Sequence, residues 1–101
     1  MEIKTISTEE PYVLAIAGRL DTNTAPELEA FMEKTVYPKG ANDITVDMTT
    51  CDFVSSAGLR VIVAMQKHAT AKQGKLVFKG VVDDVMEVFE MTGFNNILTF
   101  E

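Results

Sequence analysis

Apolar and polar positions alternate with two different periods along this chain, and the switches between periods mark out its elements. Residues 11–17 (PYVLAIA) set Tyr12, Leu14 and Ile16 against Val13, Ala15 and Ala17, and nearly every position is apolar. A run this apolar predicts a strand covered on both faces. Residues 2–6 suit an antiparallel edge strand ahead of it, with a turn over Ser7–Pro11. The stretch Gly18–Asn23 reads as a loop. Thr24-Ala25-Pro26-Glu27 then has the form of a capping box, with Pro26 tolerated in a first helical turn. Leu28, Phe31, Met32 and Thr35 or Val36 follow at helical spacing until Pro38 and Gly40 end the segment.

The second half repeats the alternation. Ile44–Met48 is a buried strand candidate, and Thr49–Ser56 follows it as a loop. Residues 55–73 have helical composition, with Leu59, Ile62, Val63, Gln66 and Ala69 on one side and Gly74 as C-terminal cap. Leu76–Phe78 is a strand within Lys75–Lys79. Val82, Val85, Met86 and Phe89 mark a third helix, with Asp83 and Asp84 at its favourable N-terminal end and Gly93 as its stop. Ile97–Phe100 is a last short strand. The order is β-β-α-β-α-β-α-β. Strands joined through helices run parallel, so the expected fold is α/β, a mostly parallel sheet of four to five strands with helices alternating along the chain. Residues 1–101 read as one domain, and the loops after the second and third strands, Gly18–Asn23 and Thr49–Ser56, lie where such sheets gather function.

Composition narrows the class of function. Apolar residues make up 47% of the chain and are spread along it, which argues against disorder. No apolar run nears the roughly 18 residues of a membrane span, and the N-terminus lacks an apolar signal core, so a cytoplasmic protein without membrane contact is expected. A single cysteine, Cys51, forms no internal disulfide. The net charge of −6 repels phosphate backbones, so no nucleic-acid partner is expected. Lys67, Lys72, Lys75 and Lys79 read as an ordinary solvated face.

Enzyme chemistry finds little to work with. The only histidine, His68, stands twelve residues beyond Ser56; on a shared helix that is about 18 Å, too far for a nucleophile and its base. Cys51 and His68 have no further Cys or His with which to make a metal site, and Asp47, Asp52, Asp21 and Ser56 make a weak hard-cation set. No catalytic residue, metal or cofactor is expected. What remains is a pair of serines, Ser55 and Ser56, at the predicted start of the second helix. Either suits an N-cap, and free N–H groups there also tolerate a phosphate.

Three blocks resemble one family. Asp47–Val61 (DMTTCDFVSSAGLRV), Gly18–Leu28 (GRLDTNTAPEL) and Val85–Phe94 (VMEVFEMTGF) are similar, in this order, to the signature segments of STAS domains in bacterial anti-sigma-factor antagonists. The resemblance covers essentially the whole chain. It implies that the serine two positions before the block's glycine, here Ser56, is phosphorylated, and that Asp21 lies beside the phosphorylation loop. It implies a partner-switching cycle: the unphosphorylated protein binds an anti-sigma factor that is also a serine kinase, the sigma factor is released, phosphorylation on Ser56 ends the complex, and a PP2C-type phosphatase resets the switch. The partner-facing set is then Asp21, Thr22, Ser55, Ser56, Ala57, Gly58 and Arg60. The chain departs from the pattern at Ser55, where well-known antagonists often carry Asp, which makes Ser55 an alternative acceptor. The family's sheet is usually followed by a further helix, whereas this sequence stops at Glu101. Gly58 fits close approach either of a partner or of the preceding strand, and Arg60 fits either an acidic partner surface or plain solvation. The rival role for the same fold is a docking module of a stressosome-like, transporter-associated or lipid-transport assembly with no sigma factor involved.

Overall fold

A computed structural model describes all residues, Met1–Glu101. The five strands are β1 (Glu2–Ser7), β2 (Tyr12–Leu20), β3 (Asp43–Val54), β4 (Lys75–Lys79) and β5 (Thr99–Phe100), and the three helices are α1 (Ala25–Phe31), α2 (Ser56–Ala71) and α3 (Asp83–Thr92). The strands lie side by side in chain order, β1-β2-β3-β4-β5, with β1 antiparallel to β2 and the rest parallel. The expected element order and α/β class hold, in a mixed sheet.

Sequential order has a consequence for the two faces. Each right-handed crossover steps the same way along the sheet, so α1, α2 and α3 pack on one face. Tyr12, Leu14 and Ile16 of β2, Ile44, Val46 and Met48 of β3, and Leu76 and Phe78 of β4 point to that face and join the helices in a single core. The opposite face carries Val13, Ala15, Ala17, Thr45 and Val77, all only half-buried. The expectation of strands covered on both faces is therefore corrected. Alanines and valines at the outward positions imitate a doubly covered strand, but no element lies over them.

Two further corrections concern the strand ends. Half of the loop expected after β2 and most of the one expected after β3 are strand. Gly18, Arg19 and Leu20 extend β2 and pair with Cys51, Phe53 and Val54 of β3, and Ala17 pairs with Thr50. The register slips twice, once between Ala15 and Ala17 and once between Gly18 and Arg19, each time with additional residues on β3. Such bulges break the period of two. The buried positions of β3 accordingly run Ile44, Val46, Met48 and then Cys51, Val54, a step of three that does not look like a strand in sequence. Gly18 takes φ +95°, a backbone conformation costly for other residues, which is how β2 follows the kink. β5 is also shorter than expected, beginning at Thr99 rather than Ile97.

The first helix departs from expectation in its start. Thr24 has helical dihedrals and caps nothing, and Glu27 makes no return bond to it. The chain runs from α1 through a wide turn over Met32–Val36 and a tight one over Tyr37–Lys39 to Gly40, whose φ of +68° ends it. On α2 the buried residues are Gly58, Leu59, Val61, Ile62, Met65 and Ala69. Val63 and Gln66, assigned to that face by spacing, are instead half-exposed at its edge. No helix is long and apolar enough to cross a membrane.

Candidate functional site

The start of α2 is pinned to the end of β2. The Ser55 N–H donates to the Leu20 carbonyl at 2.8 Å, and the Ser55 carbonyl accepts from the Leu59 N–H at 2.9 Å. Ser55 is extended, and its Oγ accepts from the Gly58 N–H at 3.3 Å, so Ser55 is the N-cap. Gly58 itself is buried. A Cβ on it would stand 2.7 Å from Leu20 Cγ and 2.8 Å from the Leu20 carbonyl oxygen. The packing requires the glycine for a close approach of α2 to the end of β2, not to β3, the strand that immediately precedes the helix.

With Ser55 committed to the cap, the two serines differ in kind. Ser56 is the first residue of α2, is exposed, and has no side-chain hydrogen bond within the protein. It sits where free N–H groups and the positive end of a 16-residue helix favour added negative charge. It opens onto a cavity of about 460 Å³ between α2 and the end of α3, with Leu59, Val63 and Phe94 as apolar lining and Arg60 and Lys67 as cations. A second, smaller cavity of about 180 Å³ brings Thr22 of the β2–α1 loop together with Ala57 and Arg60 of α2. Arg60 thus borders both hollows.

Asp21 lies next in chain to Leu20, the residue bonded to Ser55. Its Oδ1 accepts from the N–H groups of Asn23 at 3.0 Å and Thr24 at 3.1 Å, and from the Thr24 hydroxyl at 3.2 Å. The Thr24 Oγ1 in turn accepts from the Asp21 N–H. Partial desolvation pushes the Asp21 carboxyl up. The amides of Thr24 and Asn23, the Thr24 hydroxyl and the Arg19 guanidinium together outweigh it and hold the group below its ordinary value. Asp21 is therefore ionised and occupied with its own turn. The capping role that spacing gave to Thr24 belongs to Asp21, a swap that the sequence Asp-Thr-Asn-Thr conceals because either end of it forms such turns. Arg19 reaches Asp21 at 3.9 Å and lies 4.0 Å above the Phe53 ring, which ties the β2 and β3 ends together. Phe53 and Arg19 were not among the residues singled out in sequence; the register slip that makes them neighbours has no sequence signal.

The remaining titratable candidates lie elsewhere. Cys51 is buried in the core, where desolvation raises its thiol above the ordinary value. Ser56 and His68 share α2, at opposite ends of it, and the His68 ring stacks on Tyr37 with centroids 3.8 Å apart. The pair has no hydrolase geometry. Lys67, Lys72, Lys75 and Lys79 are all exposed, and Lys67 alone among them borders the hollow at Ser56.

Comparison with known proteins bears on the family and the fold. A family model described as "Mlab, STAS domain" matches residues 3–99. BtrV of Bordetella bronchiseptica, which carries the name of an anti-sigma factor antagonist, is 35% identical over 85 residues, covering 84% of this chain and 72% of its own. Among solved structures, an anti-sigma factor antagonist from Thermotoga maritima superposes with a TM-score of 0.83 at 19% identity, covering 98% of this chain and 83% of that one. The Bacillus cell-fate determinant SpoIIAA, in its phosphorylated form, does so with a TM-score of 0.71 at 15% identity, over 99% and 89%.

Proposed function

The chain belongs to the STAS domain family, and from that premise we propose that it is an anti-sigma-factor antagonist switched by phosphorylation of Ser56. In this reading residues 1–101 act as one domain in the bacterial cytoplasm. The unphosphorylated form binds an anti-sigma factor that is also a serine kinase, and the sigma factor is released. The kinase then transfers the γ-phosphoryl group of ATP. The Ser56 oxygen attacks the γ-phosphorus, the bond to the bridging oxygen breaks, ADP leaves, and the hydroxyl proton passes to a base on the kinase. A PP2C-type phosphatase returns the serine and inorganic phosphate by adding water.

The observation that carries this reading is the division of labour at the head of α2. Ser55 is held in the cap, while Ser56 is exposed with an unengaged hydroxyl. The partner surface is read as the two hollows that meet at Arg60, with Thr22, Ala57 and Ser56 on them and Asp21, Ser55 and Gly58 holding them in place. A hydroxyl at the centre of an interface is readily accommodated. A phosphate there adds close to two negative charges. Burying charge that is not fully neutralised costs about 3–5 kcal/mol, against about 1 kcal/mol returned by the helix dipole. A net loss of about 3 kcal/mol weakens binding by more than a hundredfold.

Titration calorimetry of the cognate kinase-type anti-sigma factor against wild type, Ser56→Ala and Ser56→Asp tests it. Ser56→Ala should stay bound when ATP is added, and Ser56→Asp should bind far more weakly than either. Equal affinities for both variants would contradict the mechanism. They would favour the second reading, a docking module of a stressosome-like, transporter-associated or lipid-transport assembly with no sigma factor involved.

A further inference from the structure

The unphosphorylated protein presents Arg60 without a partner. The one ion pair within 4.0 Å in the chain joins Arg19 and Asp21. Arg60 is exposed and stands four residues after Ser56 on α2, and the two line the same hollow. Residues at this spacing lie above one another on a helix, with Cβ atoms about 5–6 Å apart, and an anion placed N-terminal to a cation is the favourable order. A guanidinium offers a planar fork that matches two phosphate oxygens.

We propose that Arg60 is the intramolecular counter-ion of phosphorylated Ser56, so that phosphorylation closes an ion pair along one turn of α2 and withdraws from the surface the cation that borders both hollows. This inference rests on Ser56 being the phosphoacceptor. Under it the phosphate has two effects. It places negative charge in the hollow, and it turns Arg60 away from whatever a partner offers beside Thr22 and Ala57. One guanidinium neutralises at most half of a dianion, so the added charge still opposes burial. Other charged groups border the pair. Lys67 lies further along the same hollow, Glu29 of α1 lines the second one with Arg60, and Asp21 and Arg19 lie at the end of β2 and just past it. Of these Lys67 is the cation that shares the hollow with Ser56, and it is three turns away along α2.

The test uses full-length protein with phosphoserine incorporated at position 56 during synthesis, followed by phosphorus NMR across pH 4–9. Pairing with Arg60 favours the dianion, so Arg60→Gln should raise the second phosphate pKa by about 0.3 unit, the shift equivalent to a helical pair at this spacing. The difference should shrink in 1 M salt. Arg60→Lys should recover part of it, and Lys67→Gln should leave the titration close to wild type. Circular dichroism of each variant checks that the exposed substitution leaves the fold intact. Identical titrations for wild type and Arg60→Gln overturn the pairing, as do equal shifts from Arg60→Gln and Lys67→Gln, which would report a diffuse field. Because the phosphate is placed chemically, this outcome is independent of where a kinase acts. Mapping of the natural phosphate to Ser55 would instead refute the acceptor assignment and leave the titration standing.

Discussion

Replacing Gly58 with alanine tests how the phosphoacceptor surface is held. An added Cβ meets Leu20 Cγ at 2.7 Å, the Leu20 carbonyl oxygen at 2.8 Å and Leu20 Cδ2 at 3.1 Å. The side-chain contacts could yield only by moving Leu20, which is fully buried. The carbonyl cannot yield without breaking its bond to the Ser55 N–H. The head of α2 must therefore move off the end of β2. Overpacking of this kind costs about 1–3 kcal/mol, and weakening of the Ser55 cap adds about 1 kcal/mol. The better helix propensity of alanine offsets about 1 kcal/mol. The net expectation is a loss of about 1–3 kcal/mol, or a fall in Tm on the order of 10 °C for a domain of this size. Urea unfolding followed by circular dichroism should show a lower midpoint with an unchanged slope. Leu20→Ala combined with Gly58→Ala should cost less than the sum of the two single changes, because the side chain is part of the clash. If Gly58→Ala is as stable as wild type or more so, the close approach of α2 and β2 is not what the glycine serves.

Other variants separate structure from switching. Ser55→Ala removes an N-cap and should lower stability by about 1 kcal/mol, while Ser56→Ala, at an exposed helix start, should stay within about 0.5 kcal/mol of wild type in the same urea assay. His68 gives a pH dependence. Its Nε2 is buried without a partner, and desolvation, then the Lys72 charge, holds its pKa below the ordinary 6.5. The unfolded chain therefore binds the proton first, so the His68 contribution to stability should be fully present above about pH 7 and fall as pH drops through the unfolded value. Lys67, Glu29, Glu33 and Tyr37 share the hollow beside this ring. The urea midpoint should accordingly fall between pH 7 and pH 5.5 in wild type and fall less in His68→Phe.

Much of this architecture is legible in the sequence. Tyr12, Leu14 and Ile16, Ile44, Val46 and Met48, and Val85 with Phe89 keep the periods of their elements, and all are core. Most of the failures share one physical cause, which is that long-range pairing overrides local pattern; the Thr24 swap is local. Cys51 and Val54 point inward only because bulges opposite Ala15–Ala17 and Gly18–Arg19 reset which side chains of β3 face the core. Thr24 has the residues for a capping box but spends its hydroxyl on the Arg19 carbonyl and on Asp21. Coverage of one sheet face is set by strand order, and strand order has no local signature. At the candidate site the pair Ser55-Ser56 was visible, but which serine caps and which is exposed depends on the bond from Ser55 to Leu20, 35 residues earlier. The role of Gly58 was undecided for the same reason.

The most direct measurement is phosphate mapping. Incubating the protein with its kinase-type anti-sigma factor and ATP, then fragmenting it by mass spectrometry, should yield a single phosphate on Ser56 and a complex that comes apart as the phosphate accumulates. A phosphate on Ser55 alone, or a fully phosphorylated protein that remains bound, would contradict the account.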